Sequence, residues 1–211
     1  MAALQSSNLE TVYIDPNGDL LIDATANPIC STRFRVCSNA LRRQSPVWEK
    51  MLFGPWKEAK PTDGSPWIVE LPDDPDHSLH IIFDIIHANY EGIPPFPSVI
   101  IIYDLMTVAH KYDVVHLTRP WSSQWSSIAS NSILPAADVV RSLFIAWELG
   151  DEHLFALRLE EIALQVEVDL DGRLVYGKDI FLEEVEHLGP LDVLGKFGPR
   201  RDYSGSKKRW T

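Results

Sequence analysis

The sequence is poor in cysteine: Cys30 and Cys37 are the only two among its 211 residues. Such a pair makes a poor disulfide framework and suits a reducing compartment, and a chain of this length can bury a core without a covalent staple. Long apolar runs are scarce as well. The longest, such as Val99-Ile100-Ile101-Ile102-Tyr103, fall far short of the roughly 20 residues that a bilayer-spanning helix needs. The opening Met1-Ala2-Ala3-Leu4-Gln5 lacks the basic-then-apolar layout of a signal peptide. These gaps argue against secreted and membrane classes and predict an intracellular protein, cytoplasmic and/or nuclear. Catalytic signatures are also wanting. There is no phosphate-binding glycine loop, no GxGxxG, no GxSxG, no HExxH and no CxxC.

Positive charge is in short supply, with 19 basic against 30 acidic residues and a net charge of −11. The imbalance is uneven. From Lys196 onward the basic residues Lys196, Arg200, Arg201, Lys207, Lys208 and Arg209 face one acid, Asp202, so the remainder carries 13 basic against 29 acidic residues. A body of that sign repels phosphate backbones, so no nucleic acid is expected on its main surface. The basic end reads as a solvated tail, with a nuclear-import patch as the sharper alternative.

What is present is ordinary globular composition, 45% apolar and 23% charged. Residues 1–17 read as a leader that ends in the turn Asp15-Pro16-Asn17-Gly18. Strands are predicted at Asp19–Ala24, Phe34–Val36 and Pro66–Pro72, the first two as a hairpin. Ser38 is placed to cap a helix over Asn39–Arg43. Pro46 suits the first turn of a helix over Val47–Phe53 that turns Trp48, Met51 and Leu52 inward. Further helices are expected from Asp76 or Ser78 to Ile86, from Ser98 to Tyr112, and over Leu117–Ile128. Ala136–Leu149 and Asp151–Val166 should form a helical hairpin about Gly150. A short β-hairpin around Asp171-Gly172 and a last helix over Phe181–His187 complete the pattern. Strands first and helices afterwards predict an α+β fold, a small, mostly three-stranded sheet covered by helices.

Four clusters invite a chemical reading. His80, Asp84 and His87 fall on one helix face at spacings a zinc ion would accept, and they are the core of a rival reading as a metal-assisted enzyme. The simpler account is the wet side of an amphipathic helix. His110-Lys111-Tyr112-Asp113 reads as a helix end, and the pairs Asp73-Asp74 and Glu160-Glu161 as solvated charge. Cys37 reads as a small buried residue, and Trp121 and Trp125 as a core stripe. No catalytic, cofactor or metal residue is assigned.

The run Phe34-Arg35-Val36-Cys37-Ser38-Asn39-Ala40-Leu41, continued by Ser45-Pro46-Val47-Trp48-Glu49-Lys50-Met51-Leu52, resembles the signature of a BTB/POZ domain. Gly18-Asp19-Leu20 is similar to that family's opening strand. Ile85-Ile86-His87-Ala88-Asn89-Tyr90, the Pro94 turn and Leu105–Tyr112 follow in the family's order. Thr118-Arg119-Pro120-Trp121 and Ile145-Ala146-Trp147-Glu148-Leu149-Gly150-Asp151 are similar to its fungal subset. A departure is Cys37, where the family usually has histidine. The resemblance implies a BTB/POZ domain over residues 18–129, a helical C-terminal extension over 133–190 and a basic, flexible tail over 191–211. It implies a protein-interaction module, a scaffold or adaptor that is not an enzyme and needs no cofactor. Its expected partners are proteins, among them a cullin of a ubiquitin ligase or a second copy of the chain. Trp56-Lys57-Glu58 matches the hydrophobic-x-Glu pattern with which such adaptors meet a cullin. Phe53, Trp56, Glu58 and Tyr90, all at or near element ends, are the expected partner-binding residues. A transcription-linked nuclear factor using the basic tail is the remaining alternative.

Overall fold

The first sheet is organised by the turn at residues 15–18, as seen in a computed structural model that describes residues 10–26 and 31–185. The Asp15 carboxylate accepts from the Asn17 N–H at 2.8 Å, and its carbonyl accepts from the Gly18 N–H at 2.9 Å. Only glycine fits at 18, because a Cβ there would lie 2.4 Å from the Val36 carbonyl oxygen. The turn joins β1 (Glu10–Tyr13) to β2 (Leu20–Ala24). β3 (Thr32–Val36) pairs antiparallel with β2 and parallel with β1. Helices α1 (Ser38–Gln44) and α2 (Pro46–Phe53) follow, and β4 (Ile68–Leu71) returns parallel to β2. The strand order is β1-β3-β2-β4.

This sheet has four strands rather than three, and the extra one lies in the expected leader. β1 is only four residues long, too short for its alternation to stand out, and pairing with β3 is what makes it a strand. One sheet face carries Leu20, Ile22, Phe34, Val36, Val69 and Leu71, all buried, with Ile22 paired to both Phe34 and Val69. The opposite face carries the cross-strand pair Asp23–Arg33, joined by two bonds of 2.6 and 2.7 Å.

α1 and α2 are punctuated by Ser45. Its hydroxyl accepts from the Trp48 N–H at 3.0 Å and donates to the Tyr112 carbonyl at 2.6 Å. Ser38 does not cap α1 as the sequence predicts. Its N–H and hydroxyl both donate to the Asp19 carboxylate at 2.9 Å, and Cys37 occupies the N-cap position. Burial raises the Asp19 carboxyl, but those two bonds, its own backbone N–H and the Lys60 charge together hold the group below its ordinary value.

α3 (Asp76–Ile86) and α4 (Val99–Lys111) supply most of the remaining core of this unit. A 3-10 turn, Tyr90–Gly92, lies between them. Beyond α4, residues expected to form one helix are split into a 3-10 segment, Val115–Trp121, and α5 (Ser122–Ala129). Pro120 has no N–H to continue an α-helical ladder, so the α-helix begins only after it.

The chain divides into two compact units at Ile128/Ala129. In the second, α6 (Ala136–Leu149) and α7 (Glu152–Gln165) form the expected hairpin, turning at Gly150 with φ +71°. Val139, Val140, Leu143, Ile162, Tyr176 and Leu182 form its core. The segment is not helical throughout. β5 (Glu167–Val168), β6 (Leu174–Tyr176) and β7 (Ile180–Phe181) make a three-stranded antiparallel sheet. β7 and a 3-10 turn, Leu182–Glu184, stand where a helix over Phe181–His187 was expected. His187 and the basic tail lie outside the described residues.

α3 ends on Ala88, which adopts the left-handed conformation with φ +62°. The Asn89 N–H closes back on the Asp84 carbonyl at 2.8 Å and the Ala88 N–H on the Ile85 carbonyl at 3.2 Å, a helix stop that ordinarily uses glycine. Ala88→Gly should therefore stabilise the protein by about 1 kcal/mol. Urea denaturation checks this, and a midpoint that falls would contradict it.

Candidate functional site

Phe53 ends α2, and Trp56 and Glu58 occupy the loop that follows. Gly54 stops the helix with its N–H bonded to the Lys50 carbonyl at 3.0 Å. The Trp56 ring lies across Gly54, so that a Cβ at 54 would meet it at 3.1 Å. The loop is pinned from below by Trp67, whose indole N–H donates to the Glu58 carbonyl at 2.8 Å. Trp67 is buried and meets the Phe53 ring edge-on, with centroids 5.9 Å apart at 85°. The Arg42 guanidinium covers the Phe53 ring at 4.8 Å.

The structure therefore brings Phe53, Trp56 and Glu58 together on one surface. Phe53 is partly packed, at 41% exposure, whereas Trp56 stands free at 62%. The Glu58 carboxylate is half-buried and lies 3.6 Å from the Lys57 ammonium.

Tyr90 belongs to a different neighbourhood. It opens the 3-10 turn after α3 and is 58% exposed. Its ring packs on Trp121 at 5.9 Å, and Trp121 stacks in turn on the buried Trp125. The two tryptophans divide their roles: Trp125 is core, while Trp121 is half-buried and lines an open groove of about 910 Å³ beside Ile86, Leu117 and Pro120. The sequence signalled the pair but not the groove, which exists because the proline-containing 3-10 segment lies along the end of α3.

No family model matches the sequence. None of the curated proteins matches it either.

The titratable clusters take other roles. His80 keeps the wet position expected of it, its side chain 46% exposed, but Asp84 does not. Asp84 is 6% exposed, its carboxylate 3.5 Å from His80 Nε2. Burial pushes this carboxyl up from its ordinary value, against the opposing pull of His80, the Asn89 amide and His87. His87 has both ring nitrogens engaged, accepting at Nε2 from the Cys37 N–H at 3.0 Å and lying 2.8 Å from the Phe83 carbonyl through Nδ1. It fastens the C-terminus of α3 to the start of α1 and has no nitrogen left to offer an ion in this conformation. Among the described residues, no group of three or more His, Cys, Asp or Glu side chains is arranged to hold a metal. Cys37 is half-buried with a free thiol, more exposed than its expected role.

Asp74 is not solvated charge. It is 2% exposed and accepts from Lys111 Nζ at 2.7 and 2.8 Å and from the Tyr112 hydroxyl at 2.6 Å. Burial and the adjacent Asp74 carboxylate push the Tyr112 phenol well above its ordinary value. In the second unit Arg158 is likewise buried, bonded to Glu161 and to the Ala129 and Asn131 carbonyls, which ties α7 to the segment before α6. Glu161 is thus an ion-pair partner rather than freely solvated.

Two outcomes follow from these assignments. His87→Ala should cost about 1–3 kcal/mol in thermal denaturation by orphaning the Cys37 N–H, while His153→Ala on the exposed face of α7 should fall within about 0.5 kcal/mol of wild type. Tyr112→Phe should cost about 1.5–3 kcal/mol at neutral pH. Because the folded phenol stays protonated where the unfolded one ionises, the Tyr112 contribution to stability should be constant below about pH 10 and decline above it. Tyr112→Phe should therefore lose stability less steeply than wild type above that pH. Equal slopes in urea titrations of the two proteins across that range would refute the assignment.

Proposed function

We propose that this protein is an interaction module of the BTB/POZ kind that acts as a scaffold or adaptor. The observation that carries the reading is the surface at the end of α2, where Arg42 covers the Phe53 ring and Trp56 stands exposed over Gly54. Tryptophan and arginine are the residue types that most often anchor protein interfaces. A large aromatic left in solvent costs hydration free energy that a partner relieves by covering it. Because Trp67 fixes both the Glu58 carbonyl and the Phe53 ring, the patch is held in one arrangement before a partner arrives, which limits the entropy lost on docking.

Further support comes from the element order. An antiparallel hairpin, β2–β3, feeds two short helices, and a strand then returns parallel to β2 before α3 and α4. That order agrees with what the resemblance of residues 34–52 implies. On the same resemblance, Trp56-Lys57-Glu58 is the segment that meets a cullin scaffold, the aromatic burying its face and the carboxylate choosing the register. The described residues contain no helix long and apolar enough to cross a membrane.

The test is retention of partners by immobilised wild type, Trp56→Ala and Glu58→Ala, with a cullin N-terminal domain as the defined probe. Trp56→Ala should weaken retention by about tenfold or more with its melting temperature unchanged. Full retention by a folded Trp56→Ala protein would remove this surface from the function.

A further inference from the structure

The groove beside Tyr90 differs in charge from the rest of the molecule. The chain carries 30 acids against 19 bases, yet the groove walls contain no acidic residue. They present instead the exposed Arg119 and His116, together with the Gln44 amide. The floor is apolar, formed by Ile86, Leu117 and the two rings of Tyr90 and Trp121. An arginine beside an aromatic and aliphatic lining suits an apolar side chain flanked by a carboxylate.

We propose that this groove receives an acidic segment of a partner protein, seating one bulky apolar side chain against the paired rings of Tyr90 and Trp121 and setting a neighbouring carboxylate on Arg119. The guanidinium forms a charge-assisted fork with that carboxylate. Stacking rings could also receive an unpaired nucleobase, but a phosphate chain is held by a row of cations and the groove lining supplies one arginine, which favours the peptide. The proposal rests on the interaction-module reading but not on the Phe53–Trp56 surface.

The experiment measures fluorescence anisotropy of short labelled peptides, each with a central Leu, Phe or Trp flanked by Asp and Glu. Counterparts with every acid changed to Lys and a labelled uridine oligonucleotide serve as comparisons. The full-length wild type should bind at least one acidic peptide better than its Lys counterpart, and added salt should weaken that binding. Arg119→Glu should weaken it by about tenfold or more. Tyr90→Ala should weaken it as well, and because both side chains are exposed, both variants should keep the wild-type melting temperature. Trp56→Ala should bind the peptide as wild type does. Loss of cullin retention in that variant with peptide binding intact would separate the two surfaces. The proposal is overturned if no acidic peptide outperforms its Lys counterpart, if folded Arg119→Glu binds undiminished, if the oligonucleotide binds better than every peptide, or if sedimentation shows self-association that Arg119→Glu abolishes.

Discussion

The buried carboxylate of Asp74 is the constraint around which the first unit is built. It sits in the turn between β4 and α3, and it takes its donors from the end of α4, Lys111 and Tyr112. A lone carboxylate in that position would be strongly destabilising, so the C-terminus of α4 has to arrive where it does. Tyr112 carries the constraint further. Its ring stacks on Trp48 of α2 at 4.2 Å and 13°, and its carbonyl accepts from Ser45 at the head of the same helix. One charge thus fixes α4 against β4, and one aromatic face fixes α2 against α4. The surface that begins at Phe53 inherits its position from this arrangement.

The second fixed point is His87. By joining the end of α3 to the start of α1, it sets where α3 stops, and the left-handed Ala88 then directs the chain into the turn that carries Tyr90. Buried polar chemistry in this protein positions segments, and the groups it consumes for that purpose are unavailable for other work. The exposed aromatics are the complement. Trp56 sits in a loop that the Trp67 indole holds at Glu58, and Tyr90 sits just beyond the end of α3 that His87 fastens, so each is presented by a tethered segment.

Much of the fold was legible in the sequence wherever a local signal matched a local structure. Pro46 after Ser45 marked the start of α2, the alternation of Trp67, Val69 and Leu71 marked β4, and Gly150 marked the turn between α6 and α7. What escaped was decided at long range. β1 is a strand only because β3 lies alongside it. Asp74 looked like solvent-facing charge because its partners lie 37 and 38 residues away. His80, Asp84 and His87 shared a helix face, but α3 is packed on several sides, so amphipathic reasoning misplaced Asp84. Of the surface residues, Phe53, Trp56 and Tyr90 were legible as aromatics at element ends. The groove needed three segments, the end of α1, the end of α3 and the 3-10 stretch, to be in place together, and no single window of sequence contains them.

The parallel pairing of β1 with β3 has a consequence for handling the molecule. β3 is an interior strand only while those four residues lie against it. Trimming the polypeptide to begin at Pro16 would bare a row of backbone donors and acceptors beside Phe34, a template on which foreign strands assemble. The short segment is a guard rail, and a boundary drawn at the following turn would move the open edge of the sheet from β1 to β3.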